Sequence, residues 1–329
     1  MKLLHRNSRL VLTGALLLAV VGCATTSPPP GAATEQSSSA AHRSSSAAHP
    51  SDSDSPTRLA TSFDEAVRRG DSAWQSGNTD LALYLYVQAL SFKPRDVSTL
   101  GKIGSIHQAR GNLDLARKAF ELAATAAPND ARATSHLGLV LLAQGEVDAA
   151  DNWLHKSVAS DANDWRSYDA LGLIAQRRGH YDDALSFLQQ ATTLAPAEAG
   201  PLLHRGSVQL AMGDYGKAET SLQQSLDRRQ TIDAWRLLGE AQAHRGEYAK
   251  ALTSLLQVLD VPAAYNEVGQ VATANHDNRI ALEYFQKATD SSPVYFPEAA
   301  RNAAMARERL TAGDSDLKYR RGTSTSQER

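Results

Sequence analysis

A glycine followed twelve residues later by an alanine occurs seven times in phase, at Gly70 and Ala82, Gly104 and Ala116, Gly138 and Ala150, Gly172 and Ala184, Gly206 and Ala218, Gly239 and Ala251, and Gly269 and Ala281. Successive glycines stand 34 residues apart four times, then 33 and 30. A fixed period of this size constrains the fold more than any other feature of the chain. It calls for one supersecondary unit repeated along the sequence, each burying its apolar face only against its neighbours.

The rest of each repeat fits two antiparallel helices. Small residues in phase allow two helix axes to approach closely. A second glycine follows the first by seven residues, at Gly77, Gly111, Gly145, Gly179, Gly213 and Gly246, where a positive φ can end one helix before the next begins. A bulky residue follows each alanine by four, at Tyr86, Phe120, Leu154, Leu188, Leu222, Leu255 and Phe285, and is expected to fill the space against the next repeat. In the seventh repeat His276 replaces the turn glycine and the join "LDVPAAYN" is short, so a tighter or tilted contact is expected between Leu259 and Tyr265. The segment "PEAARNAAMARERL" carries small apolar residues on one side and charges on the other, as expected of a C-terminal capping helix.

Over residues 63–293 this pattern resembles the tetratricopeptide repeat (TPR). The resemblance implies an all-α superhelical solenoid of about seven helix-turn-helix repeats, with a capping helix over 294–312. A polar tail over 313–329 is expected to lack structure.

The start of the chain reads differently. "MKLLHRNSRLVLTGALLLAVVGC" has positive charge at Lys2, Arg6 and Arg9, then an apolar run ending at the chain's one cysteine, Cys23. The run is shorter than the ~20 residues that a bilayer-spanning helix needs, so residues 1–22 read as a signal peptide. "VVGC" resembles the bacterial lipobox. That resemblance implies cleavage before Cys23 and attachment of acyl chains, palmitate among them, to its thiol, with the bilayer as partner through the acylated N-terminus. Ala24, where an Asp would retain a lipoprotein in the inner membrane, implies an outer-membrane anchor facing the periplasm. Residues 24–57 contain no Leu, Ile, Val, Met or aromatic residue. Such a segment cannot bury enough apolar surface to offset its ordering entropy, so residues 23–62 read as a lipidated cysteine followed by a disordered Ser/Ala/Pro-rich linker.

No catalytic motif is recognisable: HExxH, GxSxG, GxxxxGK[ST] and a strand-borne GxGxxG are all missing from the sequence. Seven histidines scattered from His107 to His276 show no i, i+4 pair and read as ordinary helix or turn positions. With 34 Lys and Arg against 36 Asp and Glu, the charge balance gives no pointer to nucleic acid. The expectation is a protein that is not an enzyme, with no cofactor, no metal and no nucleic-acid partner.

Function then falls to the surface. In the TPR superhelix the first helix of each repeat faces inward, which implies a concave partner-binding groove. Its expected residues are Arg132, Leu139, Leu142, Asp169, Leu173, Gln176, Arg177, Leu203, Leu210, Arg236 and Glu240, continued by Asn266 and Gln270. Two stretches, "DWRSYDALGLIAQRRGHYDDALSFLQQATTLAP" and "AYNEVGQVATANHDNRIALEYFQKATDSSPVYFPEA", resemble the TadD-like lipoproteins of Flp (tight adherence) pilus assembly. That resemblance implies a periplasmic scaffold for secretin or pilus-assembly components. A scaffold for peptidoglycan hydrolases or another envelope complex is the alternative, and an enzyme with an unrecognised site the second.

Overall fold

The computed structural model describes residues 59–324; the leader, Cys23 and the segment up to residue 58 lie outside the described residues. Fifteen helices are found among the described residues: α1 (Phe63–Gln75), α2 (Thr79–Phe92), α3 (Val97–Ala109), α4 (Leu113–Ala126), α5 (Ala131–Ala143), α6 (Val147–Ser160), α7 (Trp165–Arg177), α8 (Tyr181–Leu194), α9 (Ala199–Ala211), α10 (Tyr215–Arg228), α11 (Ile232–His244), α12 (Tyr248–Leu255), α13 (Val261–Ala274), α14 (Asn278–Ser291) and α15 (Pro297–Ser324). The first fourteen form seven helical hairpins that coincide with the seven sequence repeats. The chain divides into two compact units. One runs through Pro128 and includes Ala143–Glu146; the other comprises Asn129–Leu142 and everything from Val147 onward.

Each hairpin is closed at the turn by backbone geometry. The six turn glycines have φ between 74° and 84°, a region that costs an L-residue about 1–2 kcal/mol. In the seventh hairpin His276 adopts φ 65° and performs the same turn with a side chain attached. Replacing it removes that strain: His276→Gly is expected to raise stability by about 1 kcal/mol, readable as a higher denaturation midpoint at unchanged slope. A neutral or destabilising result would mean that the imidazole contributes a contact that offsets the strain.

The in-phase glycines explain the pairing within each hairpin. A Cβ on Gly172 would lie 2.6 Å from Leu188 Cγ and 3.4 Å from the carbonyl oxygen of Ala184. The same relation joins Gly70 to Tyr86, Gly104 to Phe120, Gly206 to Leu222 and Gly269 to Phe285. The bulky residue four after the alanine therefore packs against the glycine of its own hairpin, and it also meets the next repeat as expected: Leu188 clusters with Val208, and Leu222 with Ala234 and Leu238. Sixteen residues separate the two partners, and antiparallel pairing across the turn brings them level. All seven in-phase alanines are fully buried.

Within the second compact unit, polar side chains tie one hairpin to the next. Ser167 Oγ donates to Ser135 Oγ at 3.0 Å and lies 2.5 Å from Asp164, and Ser157 Oγ reaches both Asp164 and the Ala131 carbonyl. Within the fifth hairpin Ser225 Oγ donates to the Ala199 carbonyl at 2.9 Å, tying α10 to α9. At the shortened join α12 ends at Leu255 and Leu259 packs against a cluster containing Leu255, Val268 and Phe285, while the Tyr265 ring lies beside Tyr284. The last helix packs on α14 through Ala303 and Ala306, which are buried in that same cluster. It then continues to Ser324, through the first part of the segment expected to be an unstructured tail. No proline follows Pro297, so nothing in the backbone forces an earlier stop.

Candidate partner-binding face

In the second unit the first helices of successive hairpins lie against one another, α7 on α9, α9 on α11 and α11 on α13. No comparable contact is found between α8 and α10 or between α10 and α12 among the described residues. The first helices thus form a continuous floor on one side while the second helices splay apart on the other. Residues three before and one after each in-phase glycine line that floor. They include Asp169 and Leu173, Leu203 and Ser207, and Arg236 and Glu240.

The expected groove residues divide by depth. Leu139, Leu173, Leu203 and Leu210 are partly exposed, and Leu203 and Leu210 also pack against the cluster of Leu222, Leu226 and Leu238. Leu142 is only 4 % exposed and belongs to the core, so it offers a ligand almost no surface. Gln176 and Leu210, at the same place in the next two repeats, are partly exposed, so the depth of Leu142 belongs to its own hairpin and not to its helix position. Arg132 and Arg177 are exposed and are not ion-paired among the described residues. Arg236 is instead held by Glu267 on the next first helix. Asn266 is buried while Gln270 stays exposed, and both are engaged by α15, which occupies the position that the first helix of a further hairpin would take. Glu298 accepts from Gln270 Nε2 at 3.0 Å, and Asn302 Nδ2 donates to Asn266 Oδ1 at 3.1 Å.

The histidines are less inert than their scatter implies. His204 Nδ1 lies 2.7 Å from Asp169 Oδ1, bridging α9 to α7 on the floor itself. Burial alone would lower its pKa, but the charges of Asp169 and Asp233 outweigh that and raise it above the ordinary value. Asp169 and His204 are 35 residues apart, one period plus one, and that spacing is the signal that could have paired them in the sequence. Nearby, burial pushes the Glu240 carboxyl up; the charge of Glu267 adds to the shift while His244 and Arg236 oppose it. Gln176 Nε2 donates to Ser207 Oγ at 3.0 Å. The floor is therefore built of side chains held by their neighbours, with partly exposed leucines between them and two unpaired arginines beside them. It contains no nucleophile–base pair, and no metal-binding group of three ligands is found among the described residues.

Seven helical hairpins in register, capped by a final helix, define an α-helical repeat solenoid. A tetratricopeptide-repeat family model matches residues 67–131, 102–164 and 203–267, and a second model of the same description matches residues 167–201. The chain belongs to the tetratricopeptide repeat family. Among solved structures it is similar to a tetratricopeptide repeat protein from Parabacteroides merdae (14% identity, TM-score 0.53, covering 75% of this chain and 100% of that one). It is also similar to pilF of Pseudomonas aeruginosa (22% identity, TM-score 0.51, 65% and 100%) and to a chain of the APC/C hetero-tetramer Cut9–Hcn1 (19% identity, TM-score 0.52, 72% and 48%). At these identities the likeness is one of fold. No curated protein matches the chain.

Proposed function

We propose that this protein is a lipid-anchored periplasmic scaffold on the outer membrane that serves an envelope machine, with Flp/Tad-type pilus biogenesis as the system and a secretin or pilus-assembly component as the partner. The observation that carries the binding role is the floor of the second unit, where Leu139, Leu173 and Leu203 are partly exposed and Arg132 and Arg177 lack ion-pair partners. An extended or helical segment with apolar side chains and acidic flanks fits that chemistry, since apolar anchors supply the affinity and rim charges guide the approach. The anchoring role rests on Cys23 at the end of the apolar leader, and the system on the resemblance to TadD-like lipoproteins.

A photo-crosslinking residue placed at Leu173 in cells tests the reading. The expected adduct contains a secretin or pilus-assembly component and requires Cys23, because Cys23→Ala removes the thiol that carries the lipid. An adduct with a peptidoglycan hydrolase would move the scaffold to a different envelope complex. Lipid labelling that persists in Cys23→Ala would sink the anchor.

A further inference from the structure

The outer, second-helix surface of the first compact unit differs in chemistry from that of the later repeats. On α2 the outward positions two and five after the in-phase alanine are Tyr84 and Val87, 45 % and 55 % exposed. On α4, Leu115 and Leu122 are 46 % and 59 % exposed. In the third to fifth hairpins the positions matching Tyr84 and Val87 carry Asn152, Ser186 and Thr220, and His155, Gln189 and Gln223. In the second hairpin itself those positions carry Lys118 and Glu121, so the apolar exposure lies at Leu115 and Leu122 instead; large apolar side chains exposed on two successive second helices mark an interaction surface.

Two observations identify what covers it. First, the chain outside the structure arrives at this face: the backbone N–H of Ala60 donates to Gln88 Oε1, one residue along α2 from Val87, at 3.0 Å. Everything that precedes residue 59, Cys23 included, is tethered there. The intervening segment 24–57 has no aliphatic side chain larger than Ala and no aromatic, so it cannot itself supply an apolar cover. The 34 residues at 24–57 nevertheless join this face to Cys23, which puts a bilayer holding the N-terminus at high effective concentration. Second, the charge pattern suits a lipid surface. Lys118 is exposed between Leu115 and Leu122 on one face of α4 and is not ion-paired among the described residues, whereas the nearby acid Glu121 is held by Arg117. Aliphatic and aromatic side chains flanking a lysine free to reach an anionic headgroup are the composition of an interfacial helix.

We propose that the first compact unit rests on the bilayer through Tyr84, Val87, Leu115 and Leu122, with Lys118 at the headgroups, so that the tethered scaffold has a fixed membrane-facing side. This rests on the lipid-anchor reading above. The partner-binding floor belongs to the other unit and is not used.

The test uses the full-length lipidated chain, with Val87→Cys carrying a bimane probe, in phosphatidylethanolamine–phosphatidylglycerol vesicles with and without nitroxide-labelled lipid. Gln190→Cys, an exposed position on α8 one residue beyond the one matching Val87, is the control. The expected result is a blue shift and loss of emission at position 87 on adding nitroxide lipid, with no change at position 190. A chain that floats with vesicles through Cys23 but shows no quenching at 87, or equal quenching at both positions, overturns this proposal and leaves the anchor standing. Quenching at 87 that survives Cys23→Ala supports the membrane face and shows that it binds without the tether, and a chain that does not associate with vesicles at all overturns both the face and the anchor. A blue shift at 87 that needs no lipid and grows with protein concentration assigns the face to a second copy of the chain and overturns the proposal.

Discussion

Gly172→Leu should lower stability by about 3 kcal/mol or more, the upper end of what overpacking costs, and depress the melting temperature by roughly 10 °C in a domain of this size. A Cβ alone at this position would stand 2.6 Å from Leu188 Cγ and 2.9 Å from Cδ2, with the Ala184 carbonyl oxygen 3.4 Å away on the other side. The carbonyl is at ordinary contact distance, but Cγ lies near the root of the fully buried Leu188 side chain and cannot swing far, so relief requires separating α7 from α8. The same reasoning predicts the sign of a coupling. Leu188→Ala vacates the space that a Cβ on Gly172 needs, so Gly172→Ala with Leu188→Ala should be less damaging than the two single variants added together. Gly216 is the control, since a Cβ there meets nothing within 4 Å. Gly216→Ala should be neutral or stabilising by about 0.5–1 kcal/mol, from helix propensity alone. Equal responses at Gly172 and Gly216 in chemical denaturation would show that the hairpin pairing is misassigned.

The second large effect is expected at Asp164, which joins the third and fourth hairpins within the second unit. Burial alone would raise its pKa, but hydrogen bonds from Ser167, Ser135, Ser157 and the backbone N–H of Arg166 outweigh that and hold it below the ordinary carboxylate value. Asp164→Ala would leave these buried hydroxyls without their shared acceptor, at a cost of about 3 kcal/mol. The pH dependence has a definite sign. A carboxyl whose folded pKa is depressed contributes stability that is present above its unfolded value, 3.8, and is lost as pH falls through the folded one. The gap between parent and Asp164→Ala should therefore be constant at neutral pH and shrink in strong acid. A gap that is independent of pH down to acid unfolding would mean that the variant acts through cavity formation, with no contribution from the ionised carboxylate.

Much of this architecture was legible in the sequence because it follows from spacing alone. Gly172 and Ala184, twelve apart across a turn marked by Gly179, dictate a hairpin whose helices nearly touch, and the repeat carries that statement along the chain. Depth was harder to read. Leu139 and Leu142 lie three apart on the same side of α5 and both suit a groove, yet only Leu139 reaches the surface, whereas the equivalent Gln176 and Leu210 of the next two repeats are partly exposed. Pairings between helices were also hidden. Asp169 with His204, and Arg236 with Glu267, are separated by one period plus or minus a few residues, a relation that appears only when successive first helices are laid side by side. The engagement of Asn266 and Gln270 by Asn302 and Glu298 needed the knowledge that α15 takes the place of a further first helix. The leader and Cys23 lie outside the described residues, and their reading remains one of sequence.

The central claim is that the first-helix floor of the second unit binds a protein partner. The most direct measurement compares partner capture by two double variants of the full-length chain, Leu139→Asp with Leu173→Asp on the floor, and Gln190→Asp with Gln223→Asp on the outer face. All four side chains are at least partly exposed, so both variants should keep the parent's helicity by circular dichroism. Loss of a central apolar anchor costs about 2 kcal/mol or more, so the floor variant should bind a secretin or pilus-assembly component at least ~30-fold more weakly while the outer-face variant binds as the parent does. If the outer-face variant loses the partner and the floor variant keeps it, the binding surface is the second-helix side and the claim is contradicted.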